Sequence, residues 1–74
     1  MRVGTEWTLD GKPIWVKAWY EPADFDSGIL RGTLTDWYYH EGGLNASKAI
    51  DAPKQLTENT ELRDVLIDLA ESTA

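Results

Sequence analysis

The sequence predicts a small two-layer α+β domain in which a three-stranded antiparallel sheet packs on one C-terminal helix. Two alternating segments joined by Asp10-Gly11 predict a hairpin, a third alternating segment extends it, and the C-terminal segment has helical periodicity. At 74 residues the chain has room for one hydrophobic core, so we expect a single domain over residues 1–74.

The first two strands are predicted at about residues 2–9 and 13–20. Asp-Gly between alternating segments favours a type I′ turn, which needs positive φ at both central residues. In the second segment, one face carries Ile14, Val16, Ala18 and Tyr20, and the opposite face carries Trp15, Lys17 and Trp19. We interpret the first of these faces as the core.

The third strand is predicted at about residues 29–40, with a bend at Gly32 or near Asp36. It follows a loop in which we expect Phe25 to pack back against the sheet. Unbroken alternation places Arg31, Trp37 and Tyr39 on one face of this strand. The predicted aromatic face of the sheet therefore consists of Trp15, Lys17, Trp19, Arg31, Trp37 and Tyr39.

The C-terminal helix is predicted at about residues 59–72, with Thr57 or Thr60 as its N-cap. Its apolar stripe consists of Leu62, Val65, Leu66, Leu69 and Ala70, which recur at helical spacing and should cover the aliphatic sheet face. Residues 41–56 are predicted to be irregular, and residues 46–51 are compatible with either a short helical turn or an edge strand.

The aromatic face has three interpretations. Residues 41–56 can cover it and make it a second half-core, or it can be an interface with another protein or a second copy of the chain. It can also be a platform on which a sugar ring or a base stacks, with a cation beside the rings.

Four carboxylates of the helix, Glu61, Asp64, Asp68 and Glu71, fall on one ridge. Like charges at this spacing destabilise an isolated helix, so the ridge is either an ordinary solvated face or a docking surface for a basic partner. In the second case it resembles the spaced charges of a nucleic-acid backbone. Ile67 lies beside the ridge, and we expect it to be exposed and to take part in partner binding.

Composition excludes several function classes. The net charge of −6 disfavours direct binding to nucleic acid or to an anionic membrane surface, because both interactions depend on positive charge. The chain has no cysteine and a single histidine, and no catalytic motif stands out, so we expect neither an enzyme nor a metal or cofactor site. Met1 is typical of a native start, and no signal peptide or membrane span is evident, so we expect a complete, soluble, cytoplasmic protein.

These observations favour a small acidic, non-enzymatic interaction protein. We expect an inhibitor or modulator that docks on a basic, nucleic-acid-binding type of protein surface through Glu61, Asp64, Ile67, Asp68 and Glu71. Its size and composition are those of accessory proteins that phages and mobile elements encode. The alternatives are a sugar- or base-binding module that uses the tryptophans, and an assembly component that forms a homodimer through the aromatic face.

Overall fold

The computed structural model describes residues 1–42 and 48–73. It shows an α+β fold with an antiparallel sheet and a C-terminal helix, as predicted. The strands are β1 (Arg2–Leu9), β2 (Lys12–Glu21), β3 (Thr33–Glu41) and β4 (Ile50–Asp51), and the helices are α1 (Lys54–Thr57) and α2 (Thr60–Ser72). The described sheet is a meander of order β1-β2-β3-β4.

The prediction of three strands is wrong because β4 pairs with the free side of β3, where Ile50 lies opposite Tyr39. A strand of two residues is too short to show an alternating pattern. The remainder of the segment predicted to be irregular contains α1, while residues 43–47 lie outside the described part of the chain.

The β1–β2 hairpin follows from the Asp-Gly turn. Asp10 and Gly11 have φ values of 52° and 80°, the positive pair that a type I′ turn requires. Leu9 pairs with Lys12 across this turn, and the register continues without interruption to Arg2 opposite Trp19. This register places the buried Val3 and the partly buried Trp7 on the same face as Ile14 and Val16.

A β-bulge at Asp36 divides β3 into two halves. Lys17 pairs with Tyr38, but Trp19 pairs with Thr35, so β3 contains one more residue than β2 over this stretch. Asp36 accommodates the extra residue with a φ of 51°. Because side-chain direction alternates along a strand, one extra residue moves every later side chain to the opposite face.

Because of the bulge, the side chains of β3 that were predicted on the aromatic face lie on the other face of the sheet. Tyr39 lies opposite Val16 and is buried, and Trp37 packs against the same core. Tyr38 lies opposite Lys17 and therefore takes a place on the other face of the sheet. The prediction that Trp37 and Tyr39 join Trp15 and Trp19 is wrong, because it extended the alternation of β3 without a slip.

The core lies between the sheet and the two helices. Asn59 caps α2, in place of the predicted threonines, through a hydrogen bond that the Leu62 backbone N–H donates to its Oδ1 at 3.1 Å. The buried core consists of Val3, Ile14, Val16, Ala18, Tyr20, Tyr39, Leu56, Leu62, Leu66, Ile67 and Ala70.

The buried stripe of α2 is rotated relative to the predicted one. Ile67 is only 7% exposed, whereas Leu69 is 40% exposed. The expectation that Ile67 is exposed is therefore wrong. Ile67 lies on the flank of α2 that faces the loop before β3, whereas Leu69 lies on the opposite flank of the helix.

Candidate functional site

The β2–β3 connection contains a closed loop between Asp24 and Ile29. The backbone N–H groups of these two residues donate to each other's carbonyl oxygens, both at 2.9 Å. Between them lies a 3-10 turn at Phe25–Ser27, which ends at Gly28 with a φ of 82°. The loop is therefore fixed by hydrogen bonds within its own length.

Asp24 caps this turn. Its carboxylate accepts a hydrogen bond from Ser27 Oγ at 2.8 Å, and it also accepts from the backbone N–H groups of Ser27 and Asp26. These bonds, above all the one from the Ser27 hydroxyl, lower the pKa of Asp24. Their contribution to stability is present above about pH 4 and declines as the pH falls through the pKa of the folded state.

The closed loop and the residue that follows it present two large apolar side chains to solvent. Phe25 is 73% exposed and Leu30 is 72% exposed. The expectation that Phe25 packs against the sheet is wrong, because the capped turn directs its ring outwards. Large exposed apolar side chains on an ordered backbone are typical of interaction surfaces, since folding gains little from them.

An open cleft of about 450 Å³ separates this loop from α2; we call it the loop–helix cleft. Ile67 lies at its base, which explains how a residue beside the carboxylates is buried. The lining residues are Ala23, Phe25, Leu30, Arg31 and Gly32 from the loop side, and Asp64, Ile67, Asp68 and Glu71 from α2. The cleft thus combines an apolar wall with an acidic one.

The carboxylate ridge, defined as Glu61, Asp64, Asp68 and Glu71, is exposed along α2. Asp64 lies 3.9 Å from Arg31 and 4.0 Å from Arg63, and both ion pairs are open to solvent, so they contribute little to stability. Within the described part of the chain, the side chains of Glu61 and Asp68 make no hydrogen bond or ion pair. Most of the charge of the ridge is therefore available to a partner.

Glu71 differs from the rest of the ridge because it has a structural contact. Its Oε2 accepts a hydrogen bond of 3.1 Å from the hydroxyl of Tyr20, which ties α2 to β2. The Tyr20 ring packs directly on Gly32, where a Cβ atom would lie 2.3 Å from the ring. Burial raises the pKa of Tyr20, and the hydrogen bond to Glu71 and the negative charge of that carboxylate raise it further.

This contact predicts a loss of stability in alkali. The folded state favours the protonated phenol, so its contribution is intact below about pH 10 and declines as the pH rises through the raised pKa. We expect the free energy of unfolding of the wild type to fall more steeply above pH 10 than that of Tyr20→Phe. Urea unfolding at several pH values measures this difference.

Glu71→Gln is the matched control for this prediction. It keeps a hydrogen-bond acceptor but removes the negative charge, so its alkaline loss should lie between those of the wild type and Tyr20→Phe. If the unfolding free energies of the wild type and both variants fell equally steeply above pH 10, Tyr20 would have the same pKa in the folded and unfolded states.

The outer face of the sheet, opposite the core, contains Trp15, Lys17, Trp19, Tyr38 and His40, together with Arg2, Gly4 and Glu6 of β1. The guanidinium of Arg2 lies over two of its rings, 5.0 Å from the Tyr38 centroid and 5.5 Å from the Trp19 centroid. Arg2 also donates to the Asp36 carbonyl at 3.1 Å, and Trp19 Nε1 donates to Glu21 at 2.7 Å. The chain's own side chains therefore occupy much of this face.

The described residues 48–56 belong to the core side. Leu56 is fully enclosed in the core, and Ile50 and Ala52 pack against it. The interpretation in which residues 41–56 cover the outer face is thus not realised by residues 48–56, and residues 43–47 lie outside the described part of the chain.

The structure places Asp64, Asp68 and Glu71 of the predicted ridge along the loop–helix cleft, without Glu61, and it places Arg31 differently from the prediction. Arg31 precedes β3 and faces α2 across the cleft instead of lying on the aromatic face. Sequence reasoning missed Phe25 and Leu30 as site residues. The turn signals on both sides, Pro22 and Gly28, were the features that could have indicated an outward-facing loop.

Among the described residues, no group of histidine, cysteine or acidic side chains is arranged to hold a metal ion, and no helix has the length and apolar character to cross a membrane. No protein-family model, curated protein or solved structure matches this chain.

Proposed function

We propose that this chain is a non-enzymatic binding domain, an inhibitor or modulator, that docks on a basic protein surface through the loop–helix cleft. One observation carries the proposal: Phe25 on the closed loop and Leu30 directly after it are 73% and 72% exposed, next to the carboxylate ridge. Apolar anchors beside charged groups are the arrangement that protein interfaces use for affinity and for orientation respectively.

The chemistry of the cleft defines the partner. The carboxylates of Asp64 and Asp68 would face lysine or arginine side chains, and Phe25 and Leu30 would enter an apolar depression or cover an apolar side chain. Because the Asp24–Ile29 loop is already closed, binding costs little conformational entropy on this side of the interface. The net charge of −6 would accelerate association with a basic protein.

The test begins with capture of binding proteins from the source cells and continues with affinities for the purified partner. The ridge variant is Glu61→Gln, Asp64→Asn and Asp68→Asn, which leaves the structural Glu71 intact. Its matched control is Asp36→Asn, Glu41→Gln and Asp51→Asn, which removes the same charge from exposed positions outside the cleft. We expect the ridge variant to weaken binding at least about tenfold and to flatten its salt dependence.

The apolar half is tested by Phe25→Ala and Leu30→Ala. Because both side chains are exposed, each change should leave the unfolding free energy within about 0.5 kcal/mol of the wild type. Each should weaken binding by roughly tenfold or more, the effect of an interface anchor. Unchanged affinity in these variants and in the ridge variant would refute docking through the cleft.

The outer face supports a second candidate, a small-ligand module. Trp19 is 38% exposed and Arg2 lies beside it, a combination that suits stacking of a sugar or a base. We rank this function second because Arg2 already covers the rings of Trp19 and Tyr38. Titration of tryptophan fluorescence with oligosaccharides and oligonucleotides tests it, and a flat response would reject it.

A further inference from the structure

The outer edge of β1 is an unpaired strand edge. The backbone groups of Met1 and Tyr20 exchange hydrogen bonds of 2.8 and 2.7 Å, which fixes the alternation along β1. The backbone N–H and C=O groups of Arg2, Gly4, Glu6 and Thr8 therefore point away from β2. Within residues 1–42 and 48–73, no strand pairs with this side of β1.

Long open edges of this kind readily pair with another strand. One of the outward-pointing groups of β1, the Glu6 carbonyl, accepts a long hydrogen bond of 3.4 Å from Thr5 Oγ1. On the other side of the sheet, β4 pairs with only Tyr38 and Tyr39 of β3, so β1 is the longest uninterrupted edge of the described sheet.

We propose that two copies of this chain pair along β1, antiparallel, about a two-fold axis at Gly4. In this register Arg2 of each copy lies opposite Glu6 of the other, and Gly4 lies opposite Gly4. All of these residues have outward-pointing backbone groups, so each pair exchanges two backbone hydrogen bonds. The edge is thus complementary to itself in hydrogen bonding. The charges of the Arg2–Glu6 pairs also become complementary when the Arg2 guanidinium, which lies over Trp19 and Tyr38 in the single chain, turns towards Glu6 of the second copy.

The outer face allows the two copies to approach closely at the axis. Gly4 has no side chain, and the Trp15 indole lies over it, 2.8 Å from the position that a Cβ would occupy. Trp15 Nε1 is buried there without a hydrogen-bond partner. In the paired sheet the Trp15 indoles of the two copies lie next to each other above the axis and exclude water from it.

The helix side is compatible with the same symmetry. A two-fold axis perpendicular to the sheet places both α2 helices on one side, and α2 lies closer to β1 than to the other strands. Ile67 faces the loop–helix cleft, so Leu69, about 200° further around the helix, faces away from it. Leu69 is 40% exposed and provides an apolar contact between the helices, while both carboxylate ridges remain on the outside.

Sedimentation equilibrium over a concentration series tests this pairing. Glu6→Arg places two arginines opposite each other, and we expect the dimer dissociation constant to rise at least about tenfold. Adding Arg2→Glu to Glu6→Arg restores the complementary charges and should restore the dimer. Thr8→Arg is the matched control, because Thr8 lies beyond the paired stretch in this register and should leave the dimer intact.

Hydrogen exchange of the wild type tests the same pairing without any variant. The amides of Gly4 and Glu6 should become protected as the concentration rises, whereas the Thr8 amide should not. A chain that stays monomeric at every concentration would overturn the proposal. So would a dimer that tolerates Glu6→Arg, or one in which the Thr8 amide is protected together with the Gly4 amide.

Discussion

Leu66→Ala should lower the free energy of unfolding by about 3 kcal/mol. Leu66 is completely buried and lies in the core that α2 shares with the sheet. The change removes apolar burial and leaves a cavity whose walls are held by the hairpin and by α1. Because a domain of this size has only ~3–5 kcal/mol of stability from its core, the variant should retain at most about 2 kcal/mol. Urea or thermal unfolding followed by circular dichroism measures the change.

Leu69→Ala is the control on the same helix and with the same chemical change. Leu69 is 40% exposed, so its truncation should cost less than about 1 kcal/mol. The sequence pattern alone assigns both leucines to the same buried stripe. Equal losses for the two variants would therefore support the predicted stripe and contradict the rotated one.

Gly32→Ala should also cost about 3 kcal/mol, although it adds only a methyl group. The new Cβ would lie 2.3 Å from Tyr20 Cε1 and 2.5 Å from the Tyr20 hydroxyl oxygen. The aromatic ring must move, at the usual cost of overpacking, and its hydrogen bond to Glu71 is lost with it. For a domain of this size the melting temperature should fall by more than about 10 °C.

A double-mutant cycle with Tyr20→Leu separates this clash from a general intolerance of side chains at position 32. In the Tyr20→Leu background the aromatic ring is absent, so Gly32→Ala should cost less than about 1 kcal/mol. Losses that simply add would show that the requirement for glycine arises from the backbone and not from Tyr20.

The parts of the fold that were predictable are those with strong local signals. The Asp10-Gly11 turn determines the hairpin by its backbone conformation alone, and the alternation of β2 identifies its buried side chains, including Val16 and Tyr20. The helical periodicity predicts the start of α2 to within one residue of the observed start at Thr60. In each case the residues that carry the signal are adjacent or on one helix face.

The parts that were not predictable depend on contacts between distant residues. The bulge at Asp36 has no recognisable signature in the sequence of β3, yet it moves Trp37 and Tyr39 into the core. Similarly, Ile67 lines a cleft with a loop about forty residues earlier in the chain, a proximity that helix periodicity does not reveal. The carboxylate ridge could be read from helix spacing, whereas the exposure of Phe25 follows from hydrogen bonds of Asp24 that spacing does not reveal.

The closed loop has a consequence for how such a domain can evolve. Asp24 and Ile29 seal the loop through their backbones, and the side chains between them contribute little to the core. Substitutions at positions 25–28 that retain the turn should therefore be almost neutral for folding while they alter the proposed docking surface. Under selection by a changing target, we expect this segment to diversify rapidly on an unchanged scaffold, much as a variable loop does on an antibody framework.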